Sequence, residues 1–284
     1  MLTLIESISL AGDRKKQNDD AFGFAGSCAW IIDGATDLHD RPLTGFASDA
    51  SWIAHCANSA LHAHVSPHPA DDDADLRELI ATIVFDVVTP EFNELTSGAS
   101  FEKWQSPIAS LLLVTERSSG VSGIDLGDCR AFALDADGAA QTAGGPQSAT
   151  DAETQLAAQQ TDAHKPLLER TSTIAMLRRM RAALNESGAP WTFGLDPECA
   201  KQARSWKLDL RAPAHVLLMT DGFSALVDRY GAYDAAGLMR AALDRGLQEL
   251  GRELRAIETT DASAAKHPRF KASDDATALL MRLS

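Results

Sequence analysis

Carboxylates gather in this chain where apolar runs begin or stop. Asn18-Asp19-Asp20, Asp33-Gly34-Ala35-Thr36, Asp221-Gly222 and Asp274-Asp275-Ala276-Thr277 are four such clusters. A fifth piece, Gly127-Asp128-Cys129-Arg130, follows another apolar run. Strands that end in carboxylates can collect them at one edge of a sheet. Like charges so gathered repel unless a divalent cation neutralises them, and an oxygen-rich site of this kind suits Mg2+ or Mn2+. The chemistry within reach is that of a hard metal centre built from strand ends. Asp-Gly taken alone is a turn signal, and Asp137-Gly138, between polar neighbours, is read only as a turn. Asp33-Gly34 and Asp221-Gly222 differ because each follows a buried-type run, Trp30-Ile31-Ile32 and Val216-Leu217-Leu218-Met219-Thr220.

The elements that must position these groups are legible from periodicity. Leu2 to Leu10 alternates as a strand, and Ala29 to Asp33 is a short buried strand. Apolar residues at helical spacing span 45 to 65, stopped by Pro67 and Pro69. Asp71 to Asp73 open a second helix, where carboxylates complement the positive N-terminal dipole. Strands are expected at 108–115, 121–126, 131–134, 206–210, 215–220 and 277–283. A basic helix is expected over 167–184 and one long amphipathic helix over 233–257. Residues 139 to 163, rich in Ala, Gln, Thr, Gly and Asp, read as a mobile surface segment. Two adjacent helices with no strand between them argue against a simple βαβ array. They favour antiparallel sheets covered by helix pairs.

Composition sets the outer bounds. The chain has 284 residues, 45% hydrophobic and 23% charged, enough for a sizeable core. A formal net charge of −14 disfavours nucleic acid and anionic membranes as partners. The four cysteines are widely spaced, with no Cys-x-x-Cys pair for zinc, and read as reduced thiols of a cytoplasmic protein. The order of charge and apolar residues at the N-terminus does not match a secretory signal. No apolar run reaches the roughly 20 residues of a membrane span.

The ordered set of clusters resembles the metal-dependent protein phosphatases, the type 2C serine/threonine phosphatases, from about Gly12 to Leu280. Asn18-Asp19-Asp20 is similar to the family's Asn-Glu-Asp opening, and Asp33-Gly34 to its Asp-Gly metal motif. Gly127-Asp128-Cys129-Arg130 is similar to its Gly-Asp-Ser-Arg, Thr220-Asp221-Gly222 to its Ser-Asp-Gly, and Asp274-Asp275-Ala276-Thr277 to its Asp-Asn-x-Thr. His164-Lys165-Pro166 with Glu169-Arg170 resembles a further downstream segment. The resemblance implies a single α+β domain over 1–284, a four-layer αββα sandwich with metals at one end. It implies that Asp33 bridges two ions, with the Gly34 carbonyl on one and Asp221 and Asp274 on the other. Asp19 would bind through water, Asp20 would orient metal-bound water, and Asp128 with Asp221 could hold a third ion. The implied reaction is hydrolysis of phosphoserine or phosphothreonine in a protein substrate by metal-activated water, without a covalent phosphoenzyme.

Three departures from the family pattern stand out. Asp19 replaces a longer Glu. Lys15, with Arg14 beside it, stands where the family's phosphate-binding Arg is expected, and lysine lacks the bidentate geometry of arginine. Ala35 offers no general acid where many members have His; nearby His39 reads more readily as a surface residue. These departures keep two rivals open, a pseudophosphatase that docks a partner and a phosphatase of small metabolites. His55, His62, His64 and His68 read as a metal set only poorly, because Pro67 interrupts their helix. Trp191 reads as a core anchor rather than a substrate platform, and Arg178, Arg179 and Arg181 as a solvated helix face.

Overall fold

A computed structural model describes residues 1–65, 73–160 and 165–284. Among the described residues, ten strands form two five-stranded sheets. The first has the order β1 (Leu2–Leu10), β10 (Ala276–Leu283), β9 (Ala214–Met219), β6 (Arg130–Leu134), β7 (Ala140–Gly144). The second has the order β2 (Asp20–Ala25), β3 (Cys28–Gly34), β4 (Ala109–Arg117), β5 (Gly120–Leu126), β8 (Arg204–Asp209). All neighbouring pairs are antiparallel.

Three apolar layers hold the sheets and helices together, and strand alternation assigns each side chain to one of them. On β3, Trp30 and Ile32 point outward against α1 (Asp49–His64) and α2 (Asp73–Ile83), while Ala29 and Ile31 point inward between the sheets. On β9, Val216 and Leu218 point inward. Leu217 and Met219 point outward against α7 (Asp221–Asp228), α8 (Ala235–Arg245) and α9 (Leu247–Thr260). The result is the expected αββα sandwich. Among the described residues no helix is long and apolar enough to cross a membrane.

Several expectations need revision. The single helix expected over 233–257 is two helices, broken at Gly246, whose φ of +81° a side-chain-bearing residue rarely adopts. The break is stabilised by Glu6 of β1, whose carboxylate accepts hydrogen bonds from the Leu247 and Gln248 amides at 2.9 and 3.3 Å. Within 139–163, expected as a mobile surface segment, β7 pairs along β6 and α4 (Gln147–Ala158) follows it. The second helix begins at Asp73; Pro67, His68, Pro69 and Asp71 lie outside the described residues, as do 161–163 and His164. It passes through a π-turn at Val84–Val88 into α3 (Thr89–Thr96). The basic helix is α5 (Thr171–Ala183), preceded by a 3-10 turn at Leu167–Glu169. A short helix, α6 (Glu198–Gln202), precedes β8.

Candidate active site

The inward face of the sandwich changes character at one end, where apolar side chains give way to carboxylates. Asp33 shares strand parity with Ala29 and Ile31 and therefore faces between the sheets. Its Cα partner on β2 is Asp20 and its partner on β4 is Ser110. The opposite sheet contributes from the end of β9, where Thr220 leads into Asp221 at the start of α7. The Thr220 hydroxyl donates to Asp20 Oδ2 at 3.0 Å and joins the two sheets. The Thr277 amide, at the start of β10, donates to the Thr220 hydroxyl at 3.0 Å. Asp128 follows β5, and its Oδ1 accepts from the Ser110 hydroxyl at 2.6 Å.

Backbone close approach sets the loops. A Cβ on Gly34 would collide with the Ala50 carbonyl of α1 and the Asp19 carbonyl. The Gly34 amide donates to Asp19 O at 3.0 Å, so the glycine lets the 12–19 loop lie against the end of β3. Asp274 and Asp275 divide their work. Asp275 is a clamp, accepting from the Gly12 and Asp19 amides at 2.7 and 2.6 Å, whereas Asp274 faces the cavity.

The cavity measures about 620 Å³. Asp33, Gly34, Asp128, Asp221 and Asp274 of the expected set line it. Asp20 lies behind Asp33, 3% exposed, with its Oδ1 lacking a hydrogen-bond partner. Asp19 does not reach the cavity wall; its carboxylate accepts from the Ser48 hydroxyl at 2.5 Å, and Ser48 in turn caps α1. Arg14 and Lys15 are exposed in a turn stabilised by Asp13 and do not line the cavity. Among the described residues, no three of the expected ligands bring their oxygens within 4.8 Å of one another. The triplet that does is Asp37, His39 and Asp49.

That triplet is a helix-end network. Asp37 accepts from the Asp49 and Ala50 amides, and Asp49 from the Leu43 and Thr44 amides. His39 is accordingly a half-buried residue with its Nε2 3.4 Å from Asp49, rather than a surface histidine or a group facing the cavity. His62 packs edge-on against Trp30, and His64 bonds the Ala60 carbonyl.

Buried carboxylates repel one another in this pocket. Burial, and then repulsion from Asp20, Asp221, Asp128 and Asp274, pushes the Asp33 carboxyl well above the usual range. Burial followed by Asp128 and Asp274 raises Asp221 to about 7. Burial, opposed by Ser48, raises Asp19 to about 6. Asp274 behaves oppositely. Burial works against its charge, but the Lys271 ammonium 2.6 Å away holds it below the ordinary value. Glu153 of α4, paired with Arg229 at the C-terminal end of α7 at 2.8 Å, adds another ion pair to the wall.

Lys271, Glu153, Arg229 and Ser110 are cavity residues that sequence reading missed. Lys271 is three residues before Asp274, within reach of the acidic motif it serves, but an isolated lysine carries no pattern. Glu153 lay in the stretch read as mobile surface. Of the arginines of α5 expected on a solvated face, Arg179 is exposed, but Arg178 and Arg181 are not free. Arg178 donates to the Leu38 carbonyl through Nε and Nη2, and Arg181 donates to the Thr36 carbonyl at 2.9 Å, pinning α5 onto the loop after β3. Trp191 is half-buried and lines the cavity, with its carbonyl accepting from Gly127 N at 3.1 Å.

A family model described as protein phosphatase 2C matches residues 12–255. The chain belongs to the protein phosphatase 2C family. Membership places it among the protein phosphatases. No curated protein matches the chain. Solved structures share the fold at low identity. A PPM Ser-Thr phosphatase of Mycobacterium smegmatis, MsPP, in complex with cacodylate, is 17% identical with a TM-score of 0.57 over 99% of this chain and 100% of that one. PppA of Pseudomonas aeruginosa, a regulatory component of T6SS, is 18% identical with a TM-score of 0.55 over 99% of each chain. The catalytic domain of the serine threonine protein phosphatase PstP, in complex with two manganese ions, is 16% identical with a TM-score of 0.52, again over 99% of each.

Proposed function

We propose that this family member hydrolyses phosphoserine or phosphothreonine in proteins with the help of Mg2+ or Mn2+. The observation that carries the reading is the convergence of Asp33, Asp128, Asp221 and Asp274 on one cavity, where among the described residues Lys271 alone forms an ion pair with one of them and the lining arginines are engaged elsewhere. The donors are all oxygens, and Asp20 Oδ1 is buried without a partner, both of which fit a hard divalent cation. In this reading Asp33, the Gly34 carbonyl, Asp221 and Asp274 hold two ions, and Asp128 with Asp221 holds a weaker third. Bound divalent ions supply Lewis-acid activation of water and neutralise the charge of the phosphoryl group.

The protein groups do the rest. Asp20, fixed by Thr220, orients water beside Asp33. Ser110 holds the Asp128 carboxylate in place. Asp19 acts through Ser48 and the loop it anchors, supporting the site from outside the cavity. Lys271 supplies a fixed positive charge beside Asp274 and the incoming phosphate. Arg14 and Lys15 remain candidates for phosphate contact only with a local shift of their turn. The two-manganese complex of PstP supports manganese as a competent ion for this fold.

Hydrolysis of p-nitrophenyl phosphate and of phosphopeptides by purified protein, in EDTA, Mg2+ or Mn2+, tests the reading beside Asp33→Asn. Metal-dependent release of phosphate that disappears in the variant is expected. Folded protein inactive with every metal and every phosphopeptide would overturn it in favour of a docking module. Hydrolysis confined to phosphorylated metabolites would replace the protein substrate with a small one.

A further inference from the structure

The cavity lining mixes acidic and apolar residues. Asp33, Asp128, Asp221 and Asp274 supply carboxylates. Leu156 of α4, Leu177 and Met180 of α5, Leu184 at its C-terminal end, Trp191 and Phe270 supply apolar surface. A phosphate group has no use for such a wall, and about 620 Å³ is far more than a phosphoseryl side chain fills. Volumes of this size with mixed apolar and polar linings are typical of specific ligand sites.

The apolar wall is fixed to the same loops that carry the carboxylates. Arg181 and Arg178 tie α5 to the carbonyls of Thr36 and Leu38, three and five residues beyond Asp33. Trp191 is held by the amide of Gly127, the neighbour of Asp128. An apolar group seated there is therefore directly adjacent to a phosphate at the carboxylate end. Met180, 46% exposed although it faces this wall, is surface that an occupant would cover.

We infer that the α4–α5 wall is a specificity subsite for a bulky apolar side chain, Leu, Met or aromatic, within two residues of the phosphorylated Ser or Thr. The inference rests on the protein-phosphatase reading above. Charge complementarity selects the occupant. The cation-loaded end, with Lys271 and Arg229, draws the phosphate dianion, and the wall, whose Arg181 and Glu153 are already bonded to the Thr36 carbonyl and to Arg229, accepts an apolar neighbour but leaves a charged one unpaired. Consecutive Cα atoms of a peptide are about 3.8 Å apart, so a residue within two positions of the phosphoresidue stays within about 8 Å of it. Burying one such side chain supplies discrimination of roughly tenfold or more.

Two phosphopeptides that differ only in Leu or Gly flanking the phosphoresidue provide the test. Binding by fluorescence anisotropy with Mn2+, and phosphate release, are measured on the wild type, Met180→Glu and Met180→Leu. The Leu peptide is expected to bind about tenfold tighter and to show the same ratio in kcat/KM. Met180→Glu should bring both ratios close to one, and Met180→Leu should keep them. Equal binding of the two peptides by the wild type, or an unchanged ratio in Met180→Glu, overturns the subsite. If neither peptide binds, the subsite also falls, even where p-nitrophenyl phosphate is hydrolysed. A binding ratio that persists without turnover under any metal sinks the proposed reaction and leaves the apolar subsite standing.

Discussion

Asp20 and Asp33 are direct Cα partners across the β2–β3 ladder, on the inward face of the sheet. Like charges directly opposite one another destabilise a sheet, so this pair sets a cost that something must offset. In the family reading, divalent ions do so. Asp33→Asn removes one charge of the pair with almost no change of shape. Metal-dependent turnover should fall by at least about a hundredfold, as expected when a group acting on the reacting centre is lost. The metal-free melting temperature should rise or hold. A variant as active as the wild type in the p-nitrophenyl phosphate assay would remove Asp33 from the site.

Stability of the metal-free protein should fall with rising pH. Burial and neighbouring carboxylates raise Asp221 from 3.8 to about 7 and Asp19 from 3.8 to about 6. Between those limits the folded protein holds protons that the unfolded chain has released, so the folded state loses ground as pH climbs through that window. Thermal melts in EDTA at pH 5 and pH 7.5 should show the lower melting temperature at pH 7.5. Adding Mn2+ should restore most of the loss, because a ligand that binds only the folded state stabilises it. Asp221→Asn should flatten the metal-free dependence. A melting temperature that increases over the same range in EDTA would contradict the assigned charge balance.

Lys271 competes with metal for Asp274 in this arrangement. Its ammonium lies 2.6 Å from Asp274 Oδ1, with both side chains about one-third exposed. Lys271→Met leaves the carboxylate unpaired and should cost the metal-free protein roughly 1–2 kcal/mol, less than for a fully buried pair. The same change should tighten Mn2+ binding, read by titration calorimetry, while raising KM for phosphopeptide through loss of a positive charge. Weaker Mn2+ binding would show that Lys271 assists the ion instead of competing with it.

Glu6 and α9 give a test remote from the site. Its carboxylate accepts from the first two amides of that helix, a capping role performed by a strand residue far away in sequence. Glu6→Ala should destabilise the protein by about 1 kcal/mol, seen as a lower denaturation midpoint with an unchanged slope. Catalytic constants should stay within twofold, because neither Glu6 nor the residues whose amides it caps line the cavity. A midpoint equal to that of the wild type would reduce the contact to a surface coincidence.

Much of this protein was determined by local pattern. Alternation along β3 and β9 places Asp33 and Asp221 at strand ends, because period two and the run of apolar residues are properties of neighbouring positions. The order of five acidic motifs sufficed for the family, and adjacent helices without an intervening strand pointed to the sandwich. Tertiary structure decided what depends on partners distant in the chain. Glu6 stabilises the break of the expected long helix at Gly246, Arg178 and Arg181 become clamps on the loop after Asp33, and the stretch around Glu153 becomes helix and cavity wall. Asp274 and Asp275 are identical in sequence, yet one faces the cavity and the other grips the amides of Gly12 and Asp19. Strand spacing and motif order are encoded locally. The partner of a charge is chosen by which segments the folded sheets bring within hydrogen-bonding distance.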